Sequence, residues 1–433
     1  MLLVAGILFA FAGFAGWTIL PLATGAIALL VWERPRIIRG ETTLLDLALI
    51  ACLLAGAAQL VPIPADVRAK VAPGAVRLDR TVVVGATEAL AARPMSTEPT
   101  ATGFSLLVGV SVVLMFWSAR ELFGRAGVRT TVSSISWCGL GLGAIAILTH
   151  ATSPRLFYWT WQPYAASALP YGPFVNRNDL AAWLVMAMPL TIGYAIARRQ
   201  SRGDSHPTRT ATLDDKTLWL LGSVCLMSAA LFVSSSRSGL TGVAAAGLTL
   251  VWFARRSLTP RRVGLLVLAA LVLAAIGIVY AGVDELSNKV TTADAAVAKR
   301  VVVWRFTWQM VRDYWPAGVG LGAYQRGILM YRQPIDYFYV NHAHSEYLQL
   351  LTEGGLLLIV PAIVVLVAGV WLAGTRLRHD RTPMFWARAG AVSGMAGLAV
   401  QSLWETTLRM PANAVLLGVL AAVAMHDGSR SPR

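Results

Sequence analysis

Long uninterrupted runs of hydrophobic residues occupy most of the chain, and shorter polar stretches separate them. A helix needs about 20 mostly apolar residues to cross a bilayer. Runs of about this length lie at 2–14, 17–32, 43–61, 103–119, 130–150, 179–197, 217–235, 238–254, 263–282, 348–374, 386–404 and 411–425. The pattern predicts an all-α polytopic integral membrane protein with about 12 transmembrane helices, in a single membrane domain over residues 1–433.

The boundary between the first two runs is open to two interpretations. Gly13, Gly16 and Pro21 lie there, and residues of these types also kink a single long helix. The first run lacks the basic start and small-residue cleavage site of a removable signal peptide. We therefore expect it to remain in the membrane.

The composition supports a membrane protein and gives the net charge a meaning. Hydrophobic residues make up 56% of the 433 residues and charged residues only 14%, which excludes a water-soluble globule. The net charge of +15 fits the basic loops on the cytoplasmic side of a membrane protein better than it fits nucleic-acid binding. All three cysteines fall inside apolar runs, without the spacing of metal ligands.

The distribution of Lys and Arg predicts the orientation of the chain. They crowd into alternate short connections, near residues 33–42, 120–129, 198–216, 255–262 and 375–388, and into the C-terminal tail. The positive-inside rule makes these connections cytoplasmic, together with both termini. The long segments 62–102, 151–178 and 283–347 then face outward. We expect 62–102 to be a surface cap and 283–347 to be a large outer loop.

The outer loop 283–347 contains a stretch with helical periodicity. In "KRVVVWRFTWQMVRDYWPAGVGLGAY", apolar Val303, Met310 and Val311 recur at helical spacing among Trp304 and Trp308. Trp and Arg are typical of a helix that lies in the membrane interface. The pattern predicts an amphipathic helix there.

Ionisable residues gather at the predicted outer ends of the helices. They are Arg177 and Asp179, Arg237, Arg300 and Arg305, His342 and His344, and Glu405 with Arg409. The spans themselves contain few charges, and neither midplane charges nor inverted repeats are evident, which argues against a lipid-linked oligosaccharide transporter or flippase. The distribution predicts one polar cavity that opens outward.

Each of these residues also has a purely structural interpretation. Arg237 could cap a hairpin whose serines satisfy backbone groups, and Arg177 and Arg300 could extend to lipid headgroups. His342 and His344 could hydrogen-bond loop backbone. Asp179 and Glu405 are more simply explained as counter-ions of the arginines.

The chemistry that suits this set is transfer from a lipid-linked pyrophosphate. Guanidinium groups neutralise phosphates, and a neutral imidazole accepts a proton from an attacking hydroxyl. The Asp-x-Asp arrangement that holds a metal-bound sugar nucleotide is missing, so the sequence predicts a reaction without a metal or a cofactor.

Four stretches together resemble the O-antigen ligase and polymerase superfamily. They are "GPFVNRNDLAAWL", "SSSRSGL", "RVVVWRFTWQMVRDYWPAGVGLGAY" and "NHAHSEYLQLLTEGGL", and the resemblance covers roughly residues 165–410. It implies glycan transfer from undecaprenyl pyrophosphate on the periplasmic face of the bacterial inner membrane. His344 matches the family's essential histidine, Arg237 its hairpin arginine, and Arg300 the arginine that opens the amphipathic helix. Ser345 follows His344 where many members have asparagine.

We expect His344 to act as the general base and Arg237, Arg300 and Arg177 to hold the pyrophosphate, so that direct displacement inverts the anomeric centre. His342 and Arg305 complete the expected substrate-binding set. How His342 and His344 share their role is open, and so is the acceptor. The favoured acceptor is lipid A–core; a second lipid-linked glycan or a protein are the alternatives, as in a polymerase or a protein O-oligosaccharyltransferase.

Overall fold

The computed structural model describes residues 1–82, 92–163, 170–205, 214–255, 257–286, 292–331 and 340–426. The side chains of 203–205, 273–274, 276–286 and 292–299 are outside this description. The described residues form sixteen α-helices: α1 Leu2–Phe9, α2 Ile19–Glu33, α3 Thr43–Ala58, α4 Ala65–Val71, α5 Pro73–Val82, α6 Pro99–Ala126, α7 Arg129–Thr152, α8 Arg177–Ser205, α9 Asp215–Ser234, α10 Arg237–Ala254, α11 Pro260–Leu286, α12 Thr292–Asp313, α13 Tyr324–Gly327, α14 Glu346–His379, α15 Phe385–Gln401 and α16 Pro411–Ala424. Two short strands, β1 Pro62–Ile63 and β2 Arg93–Pro94, pair antiparallel. The prediction of an all-helical architecture is confirmed.

Within the part of the chain that the structure describes, seven helical segments are long and apolar enough to cross a membrane. They are Gly16–Glu33, Gly40–Ala58, Pro99–Ala126, Arg129–Thr152, Arg177–Arg202, Asp215–Ser234 and Glu346–His379. The helices α10, α11, α15 and α16 coincide with four further predicted runs. These features fit a polytopic membrane protein, and the number of about 12 spans stays a prediction.

The first two apolar runs form separate helices rather than one kinked helix. A Cβ atom added at Gly25 would lie 2.3 Å from Cδ2 of Leu3, so α1 folds back along α2. The chain reverses between them, where Phe11 and Ala12 have positive φ angles of 56° and 52°. The eight residues of α1 span about 12 Å at 1.5 Å per residue, too short to cross a bilayer.

Helix α8 forms the centre of the membrane domain. Its residues from Leu180 to Ala187 are completely buried, and α7, α9, α10 and α15 pack around it. A Cβ added at Gly390 of α15 would lie 2.3 Å from the carbonyl oxygen of Pro189, and one at Gly394 would lie 2.6 Å from that of Met186. Small residues therefore let α15 pack directly against the backbone of α8.

Two of the three long segments that are predicted to face outward, 62–102 and 283–347, pack against each other. The amphipathic helix α12 buries Val303, Met310 and Val311 and exposes Trp308, so the prediction of an amphipathic helix is confirmed. Its buried face joins Ala72 and Ala75 of the segment predicted as a surface cap in a second hydrophobic cluster, with Tyr314, Tyr324 and Ala343. Parts of the long segments, 83–91, 164–169, 287–291 and 332–339, lie outside the described residues, as do the C-terminal 427–433.

The glycine-rich stretch after α12, residues 318–322, interrupts α14. The Val319 and Gly320 amides donate to the carbonyls of Thr352 and Glu353, at 2.9 and 3.0 Å. Gly355 has a φ angle of +55°, and a Cβ there would lie 2.2 Å from the carbonyl oxygen of Pro316. The first turns of α14 are thereby separated from its long apolar part, and α14 packs against α12.

Candidate active site

The segment 340–345, called here the histidine segment, carries both histidines and is held on three sides. The Trp304 indole donates to the Ala343 carbonyl at 2.8 Å, and the Ala343 amide donates to Gln349 Oε1 at 2.7 Å. The Glu346 amide donates to the Ser402 carbonyl at 2.9 Å. Between these anchors His344 has a φ angle of +50°, a left-handed conformation that a non-glycine residue keeps only when its surroundings enforce it.

His344 and Arg300 meet at one buried carboxylate, that of Glu405. Arg300 Nη2 donates to Glu405 Oε1 at 2.8 Å, and His344 Nδ1 lies 3.9 Å from Glu405 Oε2. The Glu405 side chain is 5% exposed, whereas those of His344 and Arg300 are 41% and 42% exposed. The distance to His344 is too long for a hydrogen bond, but it allows an ion pair once the imidazole is protonated.

His342 belongs to a second group of charges, centred on Arg409. Arg409 Nη1 lies 2.9 Å from His342 Nδ1 and 3.5 Å from Glu353 Oε1. Burial lowers the pKa of His342 to about 3, and the nearby Arg409 and His344 act in the same direction. His342 is therefore neutral at physiological pH.

Glu353 connects this group to the glycine-rich stretch. It is buried, and it accepts hydrogen bonds from the Gly322 amide at 2.8 Å and from Gln349 Nε2 at 2.7 Å. Gln349 in turn binds the Ala343 amide between the two histidines. The break in α14 thus places Glu353 where it holds the glycine-rich stretch directly and the histidine segment through Gln349.

Arg177 and Arg237 each occupy the first position of a helix, and the two helix ends are adjacent. Ser236 Oγ donates to Asn178 Oδ1 at 2.7 Å and accepts from the Gly239 amide at 3.1 Å, so the serine caps α10. Arg237 is half-buried and Arg177 is exposed. The positive ends of the α8 and α10 helix dipoles favour anions there, together with the arginines.

The connection between α15 and α16 joins these helix ends to the histidine segment. Asn413 Nδ2 donates to the carbonyls of Asp179 and Thr407, at 3.1 and 3.0 Å. The Leu408 amide lies 3.4 Å from Glu346 Oε2, and Asp179 is within electrostatic range of Glu405 and Glu346. The structure therefore brings the ends of α8 and α10 into one polar layer with His342, His344 and Arg300.

Arg305 stands apart from this layer. It is exposed, and five residues of helix place it about 140° around α12 from Arg300. No contact joins it to the other predicted site residues within the part of the chain that the structure describes. Its role in substrate binding stays a prediction.

The sequence predicts only part of the network that organises the site. The expectation that Glu405 is a counter-ion of an arginine is confirmed by its contact with Arg300. The sequence gives no role to Arg409, Gln349 or Glu353. A carboxylate within the apolar run 348–374, directly before Gly354 and Gly355, is the sequence signal that could have identified Glu353. Among the described residues, no three His, Cys, Asp or Glu side chains lie close enough to hold a metal ion.

Residues 222–363 match the family model described as O-antigen ligase. The matched segment contains Arg237, Arg300, Arg305 and both histidines, whereas Arg177 and the α15–α16 connection lie outside it. A comparison with curated proteins gave no match. The resemblance to the O-antigen ligase and polymerase superfamily, whose members are glycosyltransferase-like enzymes, is confirmed over this segment.

Proposed function

We propose that the protein is a glycosyltransferase of the bacterial inner membrane that moves a glycan from undecaprenyl pyrophosphate to an acceptor hydroxyl on the periplasmic face. Ligation of O-antigen onto lipid A–core is the favoured reaction. The observation that carries the proposal is the meeting of His344 and Arg300 at Glu405, within the segment that matches O-antigen ligases. A half-exposed histidine and a half-exposed arginine at one buried carboxylate offer a base and an anion-binding group to the same substrate.

The reaction follows from the position of each group. The acceptor oxygen attacks the anomeric carbon of the donor sugar while His344 takes the hydroxyl proton. The bond between that carbon and the pyrophosphate oxygen breaks, and the electron pair leaves with undecaprenyl pyrophosphate. Glu405, 3.9 Å from Nδ1 of His344, stabilises the imidazolium that forms. A single displacement inverts the anomeric centre.

The arginines act on the leaving group. Arg300 keeps its fork oriented through one nitrogen bound to Glu405, which leaves other N–H groups for phosphate oxygens. Arg237 and Arg177 stand at the adjacent starts of α10 and α8, where the helix dipole adds to their charge. Neutralising the pyrophosphate lowers the barrier to its departure.

The experiment that tests this function is transfer by the purified protein in excess EDTA. The donor is undecaprenyl-pyrophosphate glycan, offered with lipid A–core in one reaction and without a second acceptor in another. We expect glycosylated lipid A–core, at a rate that EDTA does not change, because the site residues are arginines and a histidine rather than a carboxylate pair. A longer lipid-linked glycan would identify a polymerase instead. Absence of any transfer, or transfer that requires Mg²⁺ or Mn²⁺, would refute the proposal as stated.

A second prediction concerns the side of the membrane on which the site lies. In a variant with Cys52, Cys138 and Cys225 replaced by serine, Gln309→Cys on the exposed face of α12 should react with a membrane-impermeant thiol reagent added to the periplasm. Ser257→Cys, exposed between α10 and α11, should react only after the membrane is permeabilised. The reverse labelling would place the histidines on the cytoplasmic side and would refute transfer on the periplasmic face.

A further inference from the structure

The contact between Arg409 and His342 restricts the protonation state of the imidazole. All the nitrogens of a guanidinium are donors, and arginine stays protonated in proteins. At 2.9 Å, Arg409 Nη1 therefore donates to His342 Nδ1, and Nδ1 must be the unprotonated nitrogen. A neutral imidazole with a bare Nδ1 carries its only proton on Nε2.

Arg409 is itself fixed in position. Its Nη1 lies 3.5 Å from Glu353 Oε1, and its Nη2 lies 3.4 Å from the Gly322 carbonyl. Glu353 is buried and held by the Gly322 amide and Gln349. The guanidinium therefore cannot turn away from His342 without breaking contacts to α14 and to the glycine-rich stretch.

We propose, on the basis of the function proposed above, that Arg409 is a positioning residue that keeps His342 as a permanent Nε2–H donor for an anionic oxygen of the lipid-linked pyrophosphate. His342 and His344 then have different roles, although only one residue separates them. His344 accepts the proton of the acceptor hydroxyl, and His342 donates a hydrogen bond to the phosphate that leaves.

The surroundings of His342 support a fixed neutral state. The charged groups that face it are Arg409 from the α15–α16 connection, Glu353 behind Arg409 on α14, and His344 in the same segment. Within the described residues, no protein group accepts a hydrogen bond from Nε2. That proton is thus available to a substrate oxygen, whereas Nδ1 is not available to a proton.

The first test reads the imidazole directly, without measuring transfer. Protein labelled with ¹⁵N-histidine is reconstituted in lipid and followed by solid-state NMR from pH 5 to 8, and His342→Gln assigns the signal. We expect the Nε2–H tautomer throughout, because a group with a pKa near 3 remains neutral above that pH. In Arg409→Met, Nδ1 loses the group that donates to it, so the Nδ1–H tautomer should appear beside the Nε2–H tautomer, while burial still keeps the imidazole neutral. A wild-type His342 that titrates between pH 5 and 8, or that shows the Nδ1–H tautomer, overturns the inference.

The second test measures transfer and separates a donor role from a structural one. The side-chain nitrogen of glutamine can replace Nε2–H as a donor but cannot titrate, so His342→Gln should keep kcat/KM within about threefold of wild type. His342→Ala should lose about 10-fold to 100-fold, the value of a hydrogen bond to a charged group. Equal losses in both variants would overturn the donor role. If wild type transfers no glycan at all, the proposed function fails, while the NMR result still decides whether Arg409 fixes the tautomer.

Discussion

Replacing His344 with alanine is expected to lower the turnover of glycan transfer about 10²-fold to 10⁴-fold, the usual contribution of a positioned general base. The acceptor hydroxyl is a poor nucleophile until its proton has a place to go, and His344 offers a half-exposed imidazole close to Arg300. His342 cannot substitute, because Arg409 occupies its Nδ1. Single-turnover kinetics with saturating donor and acceptor would measure the loss in the chemical step itself.

Two matched variants make this result interpretable. His342→Gln changes the neighbouring histidine and should stay near wild type. Arg261→Ala, exposed at the start of α11 on the side predicted to be cytoplasmic, should be silent. Each variant must be folded and inserted to the wild-type level before its activity is compared. Equal, mild losses at His342 and His344 would mean that neither is the base, and the histidine segment would then have only a structural role.

The helices of this protein follow from local sequence because the bilayer imposes a local requirement. Each span must satisfy its own backbone hydrogen bonds in hydrocarbon, so an apolar run of sufficient length is sufficient to predict a helix. The amphipathic helix α12 was predictable for a similar reason, since Val303 and Met310 lie on one face at helical spacing. Neither argument needs a contact with a distant part of the chain.

The break in α14 could not be predicted in this way. The run 348–374 is continuously apolar enough to be one helix, and glycines occur in many membrane helices. The helix breaks at Gly355 where the carbonyl of Pro316 packs against it. Pro316 lies in the stretch after α12, so the sequence around residue 355 does not indicate this contact. A non-local backbone contact of this kind becomes visible only when both segments are in place.

The same limit applies to the polar part of the site. Matching motifs identified His344, Arg237 and Arg300, because each lies in a stretch that resembles the superfamily. Glu405 and Arg409 lie on a connection more than 50 residues after the histidines. The sequence predicts that Glu405 is a counter-ion of an arginine, but nothing near it indicates which one. Their contacts with Arg300 and His342 are tertiary, so their roles emerge from the structure.

Arg237→Lys is expected to lower kcat about 10-fold to 100-fold, although the positive charge is retained. The side chain begins at the first residue of α10, directly after the Ser236 cap that bonds Asn178 at the start of α8. At that point a planar fork can bind two oxygens of a phosphate at once, whereas an ammonium group binds as a single point charge. A lost hydrogen bond to a charged group is worth about 1.5–3 kcal/mol, which corresponds to this range of rates.

The distribution of the loss between kcat and KM tells whether Arg237 acts on the departing pyrophosphate. Negative charge grows on the bridging oxygen as the sugar leaves, so a fork that responds to it stabilises the transition state more than the bound donor. Arg237→Lys should therefore reduce kcat while the KM of the acceptor stays unchanged. Arg261→Lys, which makes the same exchange at the start of α11 on the predicted cytoplasmic side, should change neither. A rise in donor KM with unchanged kcat would make Arg237 a ground-state contact only, and an activity within threefold of wild type would remove it from the pyrophosphate site. In that case Arg300, held by Glu405 next to His344, would be left as the principal guanidinium facing the leaving group.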